Sequence, residues 1–135
     1  MSNVKVRYCS KTKMGNTRRI ADAIAEGIGV SAVSIDEEPS LTEYTDILFL
    51  GGAPYANIMA PELREYAESL SGDKIGKIVL FTTSNWSQRT VAALKKIFAS
   101  KGIKVEDEYF YAHMLSIEKK IDAAKEFGKK FAGEI

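Results

Sequence analysis

Two stretches, Ile47-Leu48-Phe49-Leu50 and Ile78-Val79-Leu80-Phe81, constrain the fold more than anything else in the chain. Each is a short run without a polar residue, far below the length of a membrane span. That pattern suits a strand buried on both faces of a parallel sheet, which needs helices above and below it. Helical patterns do flank both runs. Val4-Lys5-Val6-Arg7-Tyr8 alternates apolar and polar residues and reads as a first strand. Arg18 to Ile28 then carries Ile20, Ala21, Ile24 and Ile28 at helical spacing, and Gly29 supplies a stop. A second strand fits Val30 to Ile35, before the polar run 36–40 that contains Pro39; the third is Asp46 to Leu50.

The next helix begins near Pro61, with Leu63, Tyr66, Ala67 and Leu70 as its inner stripe. Lys77 to Thr82 is the fourth strand, and a helix through Val91, Leu94, Ile97 and Phe98 ends at Gly102. Ile103-Lys104-Val105 opens a fifth strand that continues through Tyr109-Phe110-Tyr111. Its middle, Glu106-Asp107-Glu108, is too acidic for a central position and places it at a sheet edge. The last helix covers about Ile117 to Phe131. Five strands alternating with four helices predict a single α/β domain over 1–135: three layers, with a doubly wound parallel sheet in the middle.

Such a sheet binds ligands beyond the carboxyl ends of its strands, where the strand order reverses. Three loops fall at that edge: residues 10–16, 51–60 and 83–87, all rich in small and polar residues, two of them bearing the large aromatics Tyr55 and Trp86. The first is crowded with Ser10, Thr12, Asn16, Thr17 and Gly15, directly before a helix. A helix N-terminus presents unpaired N–H groups and partial positive charge, which suits a phosphate. Plain helix capping by Asn16 or Thr17 accounts for one such residue and is the alternative reading. A phosphate turn beside two aromatic loops suits a flat, phosphorylated ligand.

Composition narrows the classes. Nineteen basic and eighteen acidic residues leave a net charge of +1, so no global field favours nucleic acid or a membrane surface. One cysteine and one histidine argue against an internal disulfide, a multi-cysteine metal site or a His-based triad. The N-terminus runs straight into a strand without a signal-like segment, and the expected location is the cytoplasm.

Tyr8-Cys9-Ser10-Lys11-Thr12 followed by Gly15-Asn16-Thr17 resembles the phosphate turn of flavodoxins, usually Ser/Thr-x-Thr-Gly-Asn-Thr. Gly51 to Asn57 is similar to the loop along one face of the FMN ring, and Thr82-Thr83-Ser84-Asn85-Trp86-Ser87 to the loop on the other face. The resemblance covers nearly the whole chain. It implies a short-chain flavodoxin-like fold of strand order 2-1-3-4-5, non-covalent FMN, and transfer of electrons between redox partner proteins by a monomer or weak homodimer. Carried onto this sequence, Ser10, Lys11, Thr12, Gly15, Asn16 and Thr17 would hold the phosphate. Ala53, Pro54, Tyr55, Ala56 and Asn57 would line one side of the ring, and Thr83, Ser84, Asn85 and Trp86 the other. Asn57 is the expected site of a peptide that reorients with redox state, and Glu37, Glu38 and Glu43 are expected rim acids.

One departure stands out: Lys13-Met14 separates Thr12 from Gly15, where the family turn is continuous. Either two residues are inserted and the cradle is larger, or Met14 replaces a hydroxyl while Ser10 moves into the strand. A flavodoxin-like domain without flavin, serving as an interaction module, is the main alternative function. A small FMN-dependent reductase is another. Cys9 ahead of an anion loop also suggests a phosphocarrier, although a Cys-x5-Arg phosphatase loop would need arginine where Gly15 stands. His113 is expected at the surface beyond the edge strand, away from the three loops.

Overall fold

A computed structural model of the chain describes residues 3–10, 15–55, 58–84, 89–113 and 116–133. Its elements run β1 (Val4–Cys9), α1 (Asn16–Ile28), β2 (Ala32–Ser34), β3 (Thr45–Gly52), β4 (Pro54–Tyr55), β5 (Ile58–Met59), α2 (Pro61–Ser69), β6 (Ile75–Ser84), α3 (Arg89–Lys101), β7 (Phe110–His113) and α4 (Ile117–Ala132). Five strands form one parallel sheet in the order β2-β1-β3-β6-β7, while β4 and β5 pair separately as an antiparallel hairpin. Numbered by the sheet strands alone, this is the expected 2-1-3-4-5 order.

The pleat sorts the core into two layers. Val6, Tyr8, Ile47, Phe49, Val79, Phe81 and Ala112 face α1 and α4. Cys9, Leu48, Leu50, Ile78 and Leu80 face α2 and α3. Because neighbours alternate along a strand, the apolar runs supply both layers at once, which explains their lack of polar residues. The helices answer with Ile20 and Ile24, with Leu63 and Tyr66, with Leu94 and Phe98, and with Phe127 and Phe131, all buried.

Differences from expectation concentrate at the sheet edges. The second strand was expected over 30–35 but covers only Ala32–Ser34. Val30 donates its N–H to Ala25 O, closing the end of α1 beside the left-handed Gly29 (φ 94°), so it belongs to the helix stop. At the other end Ile35 still bonds to Tyr8 O, but Glu37 and Glu38 turn back onto Ser34 O. The chain then crosses β1 to reach β3 without a helix. Arg7, buried on β1, meets this crossover through Glu38 at 2.5 Å, and Lys5 holds Glu43. Between the crossover and α2 lies a groove of about 280 Å³ with Ile35, Pro39 and Tyr66 in its walls.

The fifth strand is also shorter than expected. Val105 makes a single bridge to Ile78, and pairing resumes at Phe110 opposite Phe81. Between these two pairs the edge has four residues, 106–109, where β6 has two, 79–80, and the surplus carries the acidic stretch out to Lys77 and Lys130. The edge placement of that stretch holds. The hairpin β4–β5, in what reads as a plain loop, and a short 3-10 turn over Gly72–Lys74 are additions that no periodicity signals.

α1 and α4 approach closely through small residues. A Cβ on Gly128 would stand 2.5 Å from Ile24 O, and one on Gly27 2.2 Å from Lys125 O. We expect Gly128→Ala to force these helices apart and lower stability by about 1–3 kcal/mol. Urea unfolding monitored by circular dichroism would measure it, and an unchanged midpoint would contradict this packing.

Candidate functional site

The carboxyl ends of β1, β3 and β6 lie side by side, with Cys9 opposite Gly52 and Gly52 opposite Thr82. The loops after these strands therefore open onto one edge of the sheet. β3 runs through Gly51 and Gly52, which the sequence places in a turn. A Cβ on Gly51 would stand 2.3 Å from the Phe81 ring and 2.5 Å from the Phe81 carbonyl, so glycine is needed there for β3 to continue to this edge, while one on Gly52 would meet only the end of the Leu63 side chain, at 2.7 Å.

At the start of α1 the N-cap is Gly15, extended at φ −63° and ψ 150°. Asn16 and Thr17 are the first two helical residues, so neither takes the capping position that the alternative reading gave them. Glycine has no side chain to satisfy the helix N–H groups, and the first turn of α1 contains no acidic residue. The partial positive charge of a helix start favours an anion at this end.

Two neighbouring threonines on β6 tie this edge together. Thr83, on the face towards α1, places its hydroxyl 2.6 Å from that of Thr17, and both residues are buried. Thr82, on the opposite face, donates to Gly52 O at 2.8 Å. One strand end thus anchors the head of α1 and the tip of β3. Thr90, in the first turn of α3, is buried with no partner for its hydroxyl among the described residues. The sequence reading passes over it, because nothing separates it from an ordinary hydroxyl at a helix start.

Two of the three expected rim acids, Glu43 and Glu38, lie elsewhere. Glu43 lies towards the amino end of the sheet, where Lys5 holds its carboxyl below the usual range, first by a hydrogen bond and then by charge. Glu38 is engaged by Arg7. Neither is a rim acid of the candidate edge. Asp36 and Glu62 are nearer: with Cys9 and Ser10 they line a depression of about 250 Å³. Tyr8, facing α1, has its hydroxyl pKa pushed up by burial, against the opposing effect of Arg18. Arg18 lies 3.8 Å from Asp22, and Arg19 pairs with Glu118 of α4.

His113 is corrected as well. It is the last residue of β7, in register with Ser84, and so belongs to the same edge as the three loops. The solitary cysteine, Cys9, is 5% exposed and packs in the core layer beneath α2 and α3. No group of three or more histidine, cysteine or acidic residues among the described residues is placed to hold a metal.

Of the residues assigned to the site, Ser10, Gly15, Asn16, Thr17, Ala53 and Thr83 are brought to this edge, and Pro54, Tyr55 and Ser84 are placed there by backbone position in β4 and β6. Lys11, Thr12, Ala56, Asn57, Asn85 and Trp86 lie outside the described residues, as does the Lys13-Met14 departure. Thr83 changes character, since its buried hydroxyl meets Thr17.

The architecture is the flavodoxin-like fold. No known family profile and no curated sequence matches the chain. Among solved structures, it is similar to a flavodoxin from the domain Archaea (TM-score 0.81, 18% identity, 99% of this chain and 98% of that one). It is also similar to oxidised Flavodoxin 1 from Bacillus cereus (0.79, 19% identity, 99% of each). Its likeness to the flavodiiron core Flv1 of Synechocystis sp. PCC6803 (0.74, 21% identity) covers 98% of this chain and 35% of that one. Among the described residues, no helix is long and apolar enough to cross a membrane.

The two threonine contacts predict separable effects. Thr82→Val keeps the shape of the side chain but removes the donor to a buried carbonyl, and we expect a loss of about 1–3 kcal/mol in unfolding free energy. An unfolding curve superimposable on the parent's would show that this bond does not hold β3 against β6.

Proposed function

We propose that this chain binds FMN non-covalently at the carboxyl edge of its sheet and carries electrons between redox partner proteins. The observation that carries this reading is the glycine-capped head of α1, free of acidic residues, meeting the ends of β3 and β6 at one edge of a flavodoxin-like sheet. The chemistry of that end suits an anion: the helix dipole favours it, and a threonine hydroxyl such as that of Thr17 can serve a second partner besides Thr83.

In this reading Ser10, Lys11, Thr12, Asn16 and Thr17, with backbone N–H groups near Gly15, bind the phosphate. Ala53 to Asn57 and the loop from Ser84 to Trp86 enclose the ring, with Tyr55 and Trp86 as its aromatic neighbours. Asn57, in the connection between β4 and β5, supplies the peptide that reorients with redox state. When bound, FMN supplies the electron chemistry. The protein excludes water from the ring and sets the electrostatics around it. Asp36 and Glu62 add negative charge at that edge, which disfavours a charged reduced ring. No side chain is asked to act as a catalytic acid or base. Redox partners remain a class, since a net charge of +1 does not select basic proteins at long range.

Titration with FMN, followed by quenching of flavin fluorescence, tests the reading. We expect saturable binding with strong quenching. Absence of binding at concentrations of tens of micromolar would leave the fold as a flavin-free interaction module. Thr12→Ala is expected to weaken FMN binding by about tenfold, the scale of one hydrogen bond to a charged group, without restoring fluorescence to the bound flavin. Trp86→Ala should instead relieve the quenching, and an unquenched parent protein would remove Trp86 from the ring.

A further inference from the structure

The Thr17–Thr83 contact assigns a role that direct ligand contact does not cover. A threonine hydroxyl has one proton to donate and two lone pairs to accept with. The two oxygens are 2.6 Å apart, and either hydroxyl can be the donor in that contact. A phosphate dianion offers only acceptors. Once it binds at the head of α1, Thr17 must turn its proton outward to the anion. The buried contact then survives only if Thr83 donates to Thr17.

We infer that Thr83 is a positioning residue: it fixes the direction of the Thr17 hydroxyl and thereby makes the cradle selective for the phosphorylated form of its ligand. This rests on the FMN reading above and deepens it. Several features of the pair support the inference. Both residues are almost fully buried, Thr17 3% exposed and Thr83 2%, so water does not compete for either hydroxyl. Thr83 sits on the α1 face of β6 by the alternation that also places Val79 and Phe81 there, and its backbone pairs with Ala112 of β7, one residue beyond the last β3 pair at Thr82. Its hydroxyl is therefore fixed by a central strand rather than by a loop. A chain of hydroxyl donors ending on an anion is strengthened by polarisation, more so in a buried setting.

The test compares FMN with riboflavin, which has the same ring and no phosphate, on the full chain. Thr83→Val should weaken FMN binding by about five- to tenfold and leave riboflavin affinity unchanged, on the scale of one buried hydrogen bond. Thr83→Ser, which keeps the donor, should bind FMN close to the parent level. Equal weakening of both flavins would mean that Thr83 acts on the ring or on the fold, and no change in either would mean that Thr17 needs no positioning. Both results overturn the inference. If the parent binds neither flavin, the electron-carrier reading fails, and the pair is judged with inorganic phosphate alone. A phosphate-induced rise in thermal midpoint that Thr83→Val abolishes then supports it. The same rise in both proteins, or none in the parent, overturns it.

Discussion

β6 has to satisfy two layers at once, and the rest of the structure follows from how it does so. Its middle residues, Ile78 to Phe81, are shared between the α1–α4 and α2–α3 cores, which leaves no polar group there to report on function. At its carboxyl end the same alternation continues with hydroxyls in place of methyls. Thr82 and Thr83 therefore point to opposite layers and reach the tip of β3 and the head of α1. The pleat that builds the core thus also aligns the candidate edge, without a separate device.

Much of this was legible in the residues. Apolar runs of four identified β3 and β6, helical spacing identified all four helices, and Gly29 and Gly102 marked helix ends where the structure has positive φ. The edge position of the fifth strand followed from Glu106-Asp107-Glu108, because a central strand has no solvent for three carboxylates. Edge strands themselves were the weak point. β2 owes its short length to a helix-capping bond from Val30, and β7 owes its start to a bulge, and neither leaves a mark on a period-two pattern.

The site was legible as a list of loops but not as a set of roles. Thr83 read as a ring neighbour because loop position was the only information available. Its partner, Thr17, lies sixty-six positions away in sequence. His113 read as remote because the strand was expected to stop at Tyr111. Extending β7 to His113 brings it into register with Ser84. Two of the expected rim acids, Glu38 and Glu43, failed for a related reason. A ten-residue crossover without a helix folds Glu38 and Glu43 back onto Arg7 and Lys5, and sequence distance from β2 gives no hint of that return.

The glycine-lined contact between α1 and α4 also bears on the order in which the molecule is made. α1 presents its glycine-capped end to the candidate edge, yet the helix that seats it begins only at Ile117. A chain emerging from the ribosome has β1, the turn and α1 long before it has Gly128 and Phe131 to clamp them. Until then, one flank of α1 has no apolar partner, and long-range contacts of this kind form late. The candidate edge therefore takes shape only in the finished domain: a nascent chain has the head of α1 without the helix that seats it.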